Sequence, residues 1–169
     1  EILRGSNDIA GSTGWMALNR PFREQYISCG CFEYHASGSG LAKVAQQVLS
    51  EYPQYDSMLK KSDQDKITSH EIFKAYEKGD KVAVIVIKEA IEFWGMAVAN
   101  FVSLFNPEKI IFGGGVFGPA ASLISEIRKE ALKWAQPISI TQVKLDVSAL
   151  GGDAGVYGAG YLALKRLKE

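Results

Sequence analysis

Three consecutive glycines, Gly113, Gly114 and Gly115, are the residues whose type and spacing point most directly to a ligand. They follow the apolar segment Lys109–Phe112, which predicts a short strand, and they precede a predicted helix. Open α/β sheets bind ligands at the carboxyl ends of their strands, where a glycine backbone can approach a flat or charged group. This interpretation requires the main chain of the triplet to form an open wall beside a crevice. A glycine-rich turn without a ligand is the alternative.

A second candidate turn, Gly151-Gly152-Asp153, follows the alternating segment 141–147, which predicts another strand. A helix is expected to follow over residues 154–168, and its N-terminus would favour negative charge nearby. Asp153 could serve the ligand or cap this helix. We favour the cap as its main role, because Asp at an N-cap stabilises a helix by about 1 kcal/mol.

Helices with clear start and stop signals are expected to position both turns. Asp80 should cap a long helix reaching about Phe105, whose apolar residues cover most faces and which is therefore buried. Thr68 and Glu71 have the spacing of a capping box for the preceding helix, residues 69–78, which Gly79 should end.

The remaining segments predict shorter elements and complete the fold class. Residues 15–18 predict a strand, and residues 54–66 a polar connection. Residues 37–40 predict a turn and a helix start, and residues 41–52 and 119–134 have helical spacing. Strands that alternate with helices in this order predict an α/β fold with parallel pairing.

Length and composition are those of one globular domain over residues 1–169. The 19 basic and 19 acidic residues balance, so this segment has no basic field for nucleic acid or an anionic membrane. The longest apolar run, residues 82–87, is too short to span a bilayer. Cys29 and Cys31 are too close in sequence to close a long disulfide loop, which predicts a cytoplasmic protein. The chain starts without Met, and we expect a fragment or a processed product.

The sequence resembles the C-terminal half of the ROK family (repressors, uncharacterised open reading frames and sugar kinases), within the actin-like and hexokinase-like ATPases. The matching segments occur in the family's order: AGSTGWMALN at 10–19, CGCFEYHASGSGLA at 29–42, ITSHEIFKAYEKGD at 67–80, MAVANFVSLFNPEKIIFGGGVFGP at 96–119 and LGGDAGVYGAGYLAL at 150–164. The resemblance implies a ribonuclease H-like C-terminal subdomain, with a mixed sheet, flanking helices and an incomplete N-terminal edge.

The same resemblance implies roles for individual residues. It places the glycine triplet against the adenosine of ATP, which would bind with Mg²⁺ in the full-length parent, and it places Gly152 and Asp153 nearby. Glu33 matches a sugar-contacting Glu of the family, and a carboxylate can accept hydrogen bonds from two adjacent hydroxyls. A solvated surface role is the alternative for Glu33.

The sugar side departs from the family at two positions. Where the family has Glu-x-Gly-His, this chain has Ser12-Thr13-Gly14-Trp15, so a hydroxyl replaces the carboxylate and an indole replaces the imidazole. Ser12 and Trp15 remain candidate sugar contacts. Trp15 could stack on a sugar face, although a Trp more often packs in a core.

The family's zinc loop is also altered. If Cys31 takes the place of the family's last cysteine, the two earlier cysteines fall on Glu24 and Tyr26, and Cys29 is not at a ligand position. Three of the four ligands are then missing, and we predict no zinc.

His35 is a conceivable substitute ligand, but a surface or capping role is favoured for it because no fourth ligand accompanies it. We expect packing, by residues such as Trp15, Tyr26 and Phe32, to hold the loop in place of the metal.

The resemblance places the catalytic base and the first phosphate loop in an N-terminal half, and no such motif is present here. We therefore expect no catalytic residue in this segment and no turnover by the isolated chain, because phosphoryl transfer needs nucleophile, phosphate and metal aligned. The full-length parent would be an ATP-dependent hexose kinase of the glucokinase type. The alternatives are a sugar-sensing repressor without kinase activity and a degenerate module that dimerises through the long helix. The implied partners are a sugar, a nucleotide and further copies of the chain, as a homodimer or homo-oligomer.

Overall fold

The computed structural model describes residues 2–61 and 67–166. Within these ranges the helices are α1 (Cys31–Ala36), α2 (Gly38–Glu51), α3 (Ser69–Glu77), α4 (Lys81–Phe105), α5 (Ile124–Trp134), α6 (Ser139–Gln142) and α7 (Ala154–Arg166). The strands are β1 (Lys109–Phe112) and β2 (Lys144–Val147). The architecture is α/β and rich in helix, with α1, α2, α3 and α5 packed around α4.

The long helix α4 forms the centre of the core, as its apolar pattern predicts. Asp80 caps its first turn by accepting hydrogen bonds from the amides of Val82 and Ala83 at 3.0 and 3.1 Å. Asn106, in the left-handed conformation with φ of 42°, ends it. Neighbouring helices of the same chain bury most of its apolar residues, whereas Leu104 and Phe105 at its end are exposed. Over the described ranges, no helix combines the length and apolarity needed to cross a bilayer.

Helix α3 confirms the predicted capping box. The Thr68 hydroxyl accepts from the Glu71 amide at 3.3 Å, and the Glu71 carboxylate accepts from the Thr68 amide at 2.9 Å. The helix ends at Glu77, one residue before the predicted end, and Gly79 takes the left-handed conformation with φ of 73°. These local signals fix where α4 begins.

Strands β1 and β2 pair in parallel, with Lys109 opposite Lys144 and Phe112 opposite Val147. This confirms the predicted parallel pairing. In the described part of the chain the sheet consists of these two strands, and the mixed sheet implied by the resemblance is not found there.

The predicted strand 141–147 is wrong over its first three residues. Residues 139–142 form the short helix α6. The amides of Ile138, just before it, and of Ser139 donate to the Gln136 side chain at 3.0 and 2.7 Å. The Arg128 guanidinium of α5 donates to the carbonyls of Ile140 and Val143, both at 3.0 Å. These side-chain bonds satisfy the backbone locally, so strand pairing starts only at Lys144.

Two further predictions need correction. Residues 15–18 form no strand, because a 3₁₀ turn, Thr13–Trp15, takes the first of them. Helix α5 begins at Ile124 after a 3₁₀ turn, Pro119–Leu123. The predicted helix start within residues 37–40 is confirmed, because α2 begins at Gly38 and the Ser37 hydroxyl accepts from the Gly40 amide at 3.0 Å. The predicted end of α7 at residue 168 and part of the predicted connection 54–66 lie outside the described residues.

Candidate functional site

A cavity of about 260 Å³ lies between α1, α4 and the carboxyl end of β1. Glu33 of α1 and Gly113, directly after β1, both line it. The structure thus brings one predicted sugar-contacting residue and one predicted nucleotide-contacting residue to the same cavity. Its floor is aromatic, with side chains from α4, β1 and the segment that follows: Trp94, Phe101, Phe112 and Phe117. A carboxylate acceptor and bare main chain over an apolar floor can together hold a polar ligand with one flat face.

The position of Glu33 depends on a close approach of α1 to the Thr13–Trp15 turn. Gly30 precedes α1 with φ of 86°, and a Cβ there would lie 2.3 Å from the Gly14 carbonyl oxygen, so the packing requires glycine. At the other end of α1, the Trp94 indole donates to the Ala36 carbonyl at 3.1 Å. Helix α1 is therefore fixed at both ends, with Glu33 exposed on its cavity side.

The main chain of the glycine triplet is uncovered, and Gly113 is the member of the triplet that lines the small cavity. A Cβ added to Gly114 or Gly115 would meet nothing within 4 Å, and one added to Gly113 would meet only the Ser148 Cβ, at 3.6 Å. Gly114 has φ of 82°, which favours glycine. No bulky neighbour fills this corner in the described structure.

The second predicted turn lies at the same edge of the sheet. The Ser148 amide donates to the Phe112 carbonyl at 2.7 Å, so the carboxyl ends of β1 and β2 are adjacent. Gly151–Asp153 then form one 3₁₀ turn directly before α7, and Gly152 and Asp153 are exposed. The nucleotide role of both residues and the capping role of Asp153 stay predictions.

Ser12 and Trp15 do not line the cavity, whereas Thr13 and Gly14 between them do. The Ser12 hydroxyl donates to the Ile9 carbonyl at 2.8 Å, and Trp15 is 60% exposed. The expectation that Trp15 packs to hold the loop is wrong. Side chains three residues apart eclipse in a 3₁₀ turn, so Ser12 and Trp15 share one face while Thr13 lies on another. Thr13 and Gly14 were not predicted to line a site. The glycine at position 14 is the one feature of the sequence that could have indicated it.

His35 is buried, with 3% of its surface exposed, and the expected surface or capping role is wrong. Its Nδ1 lies 2.5 Å from a Glu89 carboxylate oxygen, and its Nε2 lies 2.8 Å from the Tyr26 hydroxyl. The ring stacks on Phe93 with centroids 4.0 Å apart. Tyr26 is also buried, and this burial, with a smaller contribution from Cys31, raises the pKa of its phenol. Tyr26 does pack in the loop, as expected.

The donor atoms near Cys31 do not fit a tetrahedral zinc ion. The Cys29 thiol points to the carbonyls of Gln25 and Gly30, at 3.8 and 3.7 Å, and both nitrogens of His35 are already hydrogen-bonded. Across residues 2–61 and 67–166, no group of three or more His, Cys, Asp or Glu side chains is arranged to hold a metal. Structural zinc takes four N or S ligands, which this loop does not offer.

A larger cavity of about 1040 Å³ lies on the other side of α1, among α2, α4 and α5. Charges of both signs line it, including Arg20, Arg23, Glu92 and Lys133. None of the residues predicted to bind sugar or nucleotide lies there. We therefore assign the candidate site to the smaller cavity, which Glu33 and Gly113 both line.

Comparison with known proteins shows which family the chain resembles. A model of the ROK family matches residues 1–166. The chain is 31% identical over 164 residues to a glucokinase of Halalkalibacterium halodurans, with 95% of this chain and 49% of the relative covered. It is 32% identical over 166 residues to a xylose repressor of Caldicellulosiruptor bescii, with 94% of this chain and 40% of the relative covered.

A solved structure has the same fold. The ROK family glucokinase from Streptomyces griseus, in complex with glucose and AMPPNP, superposes with a TM-score of 0.78 and 29% identity. The match covers 96% of this chain and 54% of that one. The chain thus spans about half the length of the proteins it matches.

Proposed function

The chain belongs to the ROK family, and we propose that it forms the sugar- and nucleotide-binding part of an ATP-dependent hexose kinase of the glucokinase type. One observation carries this proposal: Glu33 and Gly113 line one cavity, with the rest of the glycine triplet open beside it. The similarity to two glucokinases, one of them solved with glucose and a nucleotide, supports the same conclusion.

Each end of the cavity has a distinct task under this proposal. Glu33 accepts hydrogen bonds from sugar hydroxyls, and an ionised carboxylate makes these bonds stronger than a neutral acceptor does. The bare main chain of Gly113, Gly114 and Gly115 lies against the adenosine, and Gly152 and Asp153 lie at the same edge of the sheet. Mg²⁺ bound with ATP would neutralise charge on the phosphates.

The isolated chain has no kinase turnover under this proposal. Phosphoryl transfer requires a positioned base and aligned phosphates, and this chain contains neither the base nor the phosphate loop that the family resemblance implies. The full-length polypeptide acts in the cytoplasm as a homodimer or homo-oligomer.

A sugar-sensing repressor is the second candidate, and one observation favours it. The chain is as similar to a xylose repressor as to a glucokinase, and Ser12 and Trp15 replace the Glu and His of the family's kinase motif. A sensor binds sugar without needing ATP, so nucleotide dependence separates the two functions.

The test is sugar-dependent ADP formation by the natural full-length polypeptide with ATP, Mg²⁺ and a panel of hexoses and xylose. Glu33→Gln should lower kcat/KM roughly 10- to 100-fold, because a charge-assisted hydrogen bond is lost. The matched control is Glu24→Gln, an exposed carboxylate of the same segment, which should stay close to wild type. Sugar binding without ADP formation, and without any heat on ATP titration, would instead establish the sensor.

A further inference from the structure

Hydrogen bonds among Tyr26, His35 and Glu89 join the loop, α1 and α4. Tyr26 and His35 are buried, and His35 and Glu89 line the larger cavity, on the side of α1 away from the candidate site. An ionised carboxylate only accepts hydrogen bonds, so Nδ1 of His35 donates to Glu89. Nε2 forms the second hydrogen bond, with the Tyr26 hydroxyl at 2.8 Å. Burial raises the pKa of this phenol. The Phe93 ring stacks on the imidazole and holds its plane.

This chain of bonds lies where the family resemblance implies a zinc cross-link. Tyr26 falls at the place of one family cysteine, and its hydroxyl interacts with Cys31, at the place of another. Both ring nitrogens of His35 are occupied, so the imidazole has no lone pair free for a metal. Hydrogen bonds among the Tyr26, His35 and Glu89 side chains therefore link the loop, α1 and α4 in this region without a metal.

The cross-link also affects which way the Glu33 side chain points. Residues two apart on an α-helix are about 200° apart around its axis, so His35 and Glu33 lie on nearly opposite sides of α1. Bonding His35 to α4 therefore turns Glu33 toward the small cavity. The bond from Trp94 of α4 to the Ala36 carbonyl stops α1 from rotating.

We propose that Tyr26, His35 and Glu89 are positioning residues that fasten α1 to α4 in place of a metal, and that they thereby hold Glu33 at the cavity. The sugar-binding consequence rests on the proposed function, whereas the metal-independent cross-link does not.

The test compares Tyr26→Phe with Tyr34→Phe in the natural full-length polypeptide. Both rings are buried beside His35, but the Tyr34 hydroxyl makes only a long contact of 3.5 Å, to Gln47. Tyr26→Phe should lower Tm by about 2 to 4 °C. It should also speed amide hydrogen exchange in α1 while leaving α5 unchanged, and Tyr34→Phe should do neither. Zinc in the purified wild type should be substoichiometric by elemental analysis, and EDTA should leave its Tm unchanged.

Glu89 provides a second pair, on a side chain that is one-third exposed and therefore tolerant of change. Glu89→Gln retains an acceptor for Nδ1 and should keep the protection of α1, whereas Glu89→Leu should lose it.

Tyr26→Phe should raise the sugar KM several-fold more than it lowers kcat. Stoichiometric zinc, a Tm that EDTA lowers, or equal exchange in both Tyr variants would overturn the proposal. If the wild type binds no sugar, the proposed function is wrong. Amide hydrogen exchange in α1 and the effect of EDTA on Tm still test the cross-link.

Discussion

Gly14 and Glu33 face each other so closely that a Cβ on Gly14 would lie 3.0 Å from the Glu33 Cβ and 3.1 Å from its carboxylate oxygen Oε2. The two residues come from different segments, which the packing of α1 on the Thr13–Trp15 turn brings together. The missing side chain at position 14 leaves the space in which the Glu33 side chain lies.

We expect Gly14→Ala to weaken sugar binding roughly tenfold, because a carboxylate displaced by a fraction of an ångström no longer aligns with the sugar hydroxyls. Stability should fall as well, because the Glu33 carboxylate can rotate away but its Cβ can give way only if α1 shifts. Calorimetric titration with sugar measures the first effect and thermal unfolding the second. Gly160→Ala, in open space on α7, is the control. Unchanged sugar affinity in Gly14→Ala would remove Glu33 from the site.

Substitutions in the glycine triplet can separate an effect on nucleotide binding from an effect on stability. Gly115→Ala meets nothing within 4 Å and has no positive φ, so its stability should match wild type. Gly114→Ala should cost about 1 kcal/mol of stability, because φ of 82° is unfavourable for alanine.

Both changes should weaken ATP binding about tenfold, because a methyl group would stand between the main chain and the adenosine. ATP calorimetry and urea unfolding on the same samples separate the two effects. Gly118→Ala, in the same loop with an ordinary contact of 3.7 Å, is the matched control. If Gly115→Ala binds ATP as the wild type does, the triplet is a plain turn.

Gly95 of α4 lies in close contact with α5. A Cβ there would lie 2.5 Å from the Glu130 Cγ and 3.0 Å from the Ala131 amide nitrogen. Alanine is favoured over glycine in a helix by about 1 kcal/mol, yet we expect Gly95→Ala to destabilise by about 1–3 kcal/mol through overpacking. Urea unfolding measures this, and Gly160→Ala should shift in the opposite direction. A Gly95→Ala protein as stable as wild type would show that α5 can move aside.

We expect the Glu130 carboxyl to make the free energy of unfolding depend on pH. It is 8% exposed and accepts hydrogen bonds from Lys133 and from the Trp134 indole. Burial alone would raise its pKa, but the Lys133 and Trp134 bonds lower it more, so the pKa of the folded state lies below the ordinary value of 4.5. A lowered pKa stabilises the fold above about pH 4.5, and this contribution is lost as the pH falls through the folded value.

We therefore expect Glu130→Gln to flatten the loss of stability between pH 5 and pH 3, measured by urea unfolding at each pH. The difference should be at most about 1 kcal/mol, because Lys133 and Trp134 are largely exposed and solvent screens the pair. Glu92→Gln on α4 removes an exposed carboxylate and is the control. An acid slope that Glu130→Gln leaves unchanged would assign the effect to other groups.

Elements set by neighbouring residues could be predicted from the sequence. The capping box of Thr68 and Glu71, the cap at Asp80 and the turn at Gly79 each depend on atoms within four residues. The length of α4, the strand β1 and its parallel pairing also follow from apolar spacing and element order. The open glycine triplet could be predicted for the same reason, because its backbone depends on glycine itself.

The burial of His35 could not be predicted, because its partner Glu89 is 54 residues away and only the packing of α1 on α4 joins them. The exposure of Trp15 and the presence of Gly14 at the cavity depend on how a three-residue turn meets α1. Helix α6 replaced part of a predicted strand because Arg128 of a neighbouring helix binds its carbonyls. The sequence by itself determined the capped helices α3 and α4, the strand β1 and their order, because their start and stop signals act between near neighbours. Only the tertiary structure decided which polar side chains are buried and which residues share the cavity, because those contacts join segments far apart in the chain.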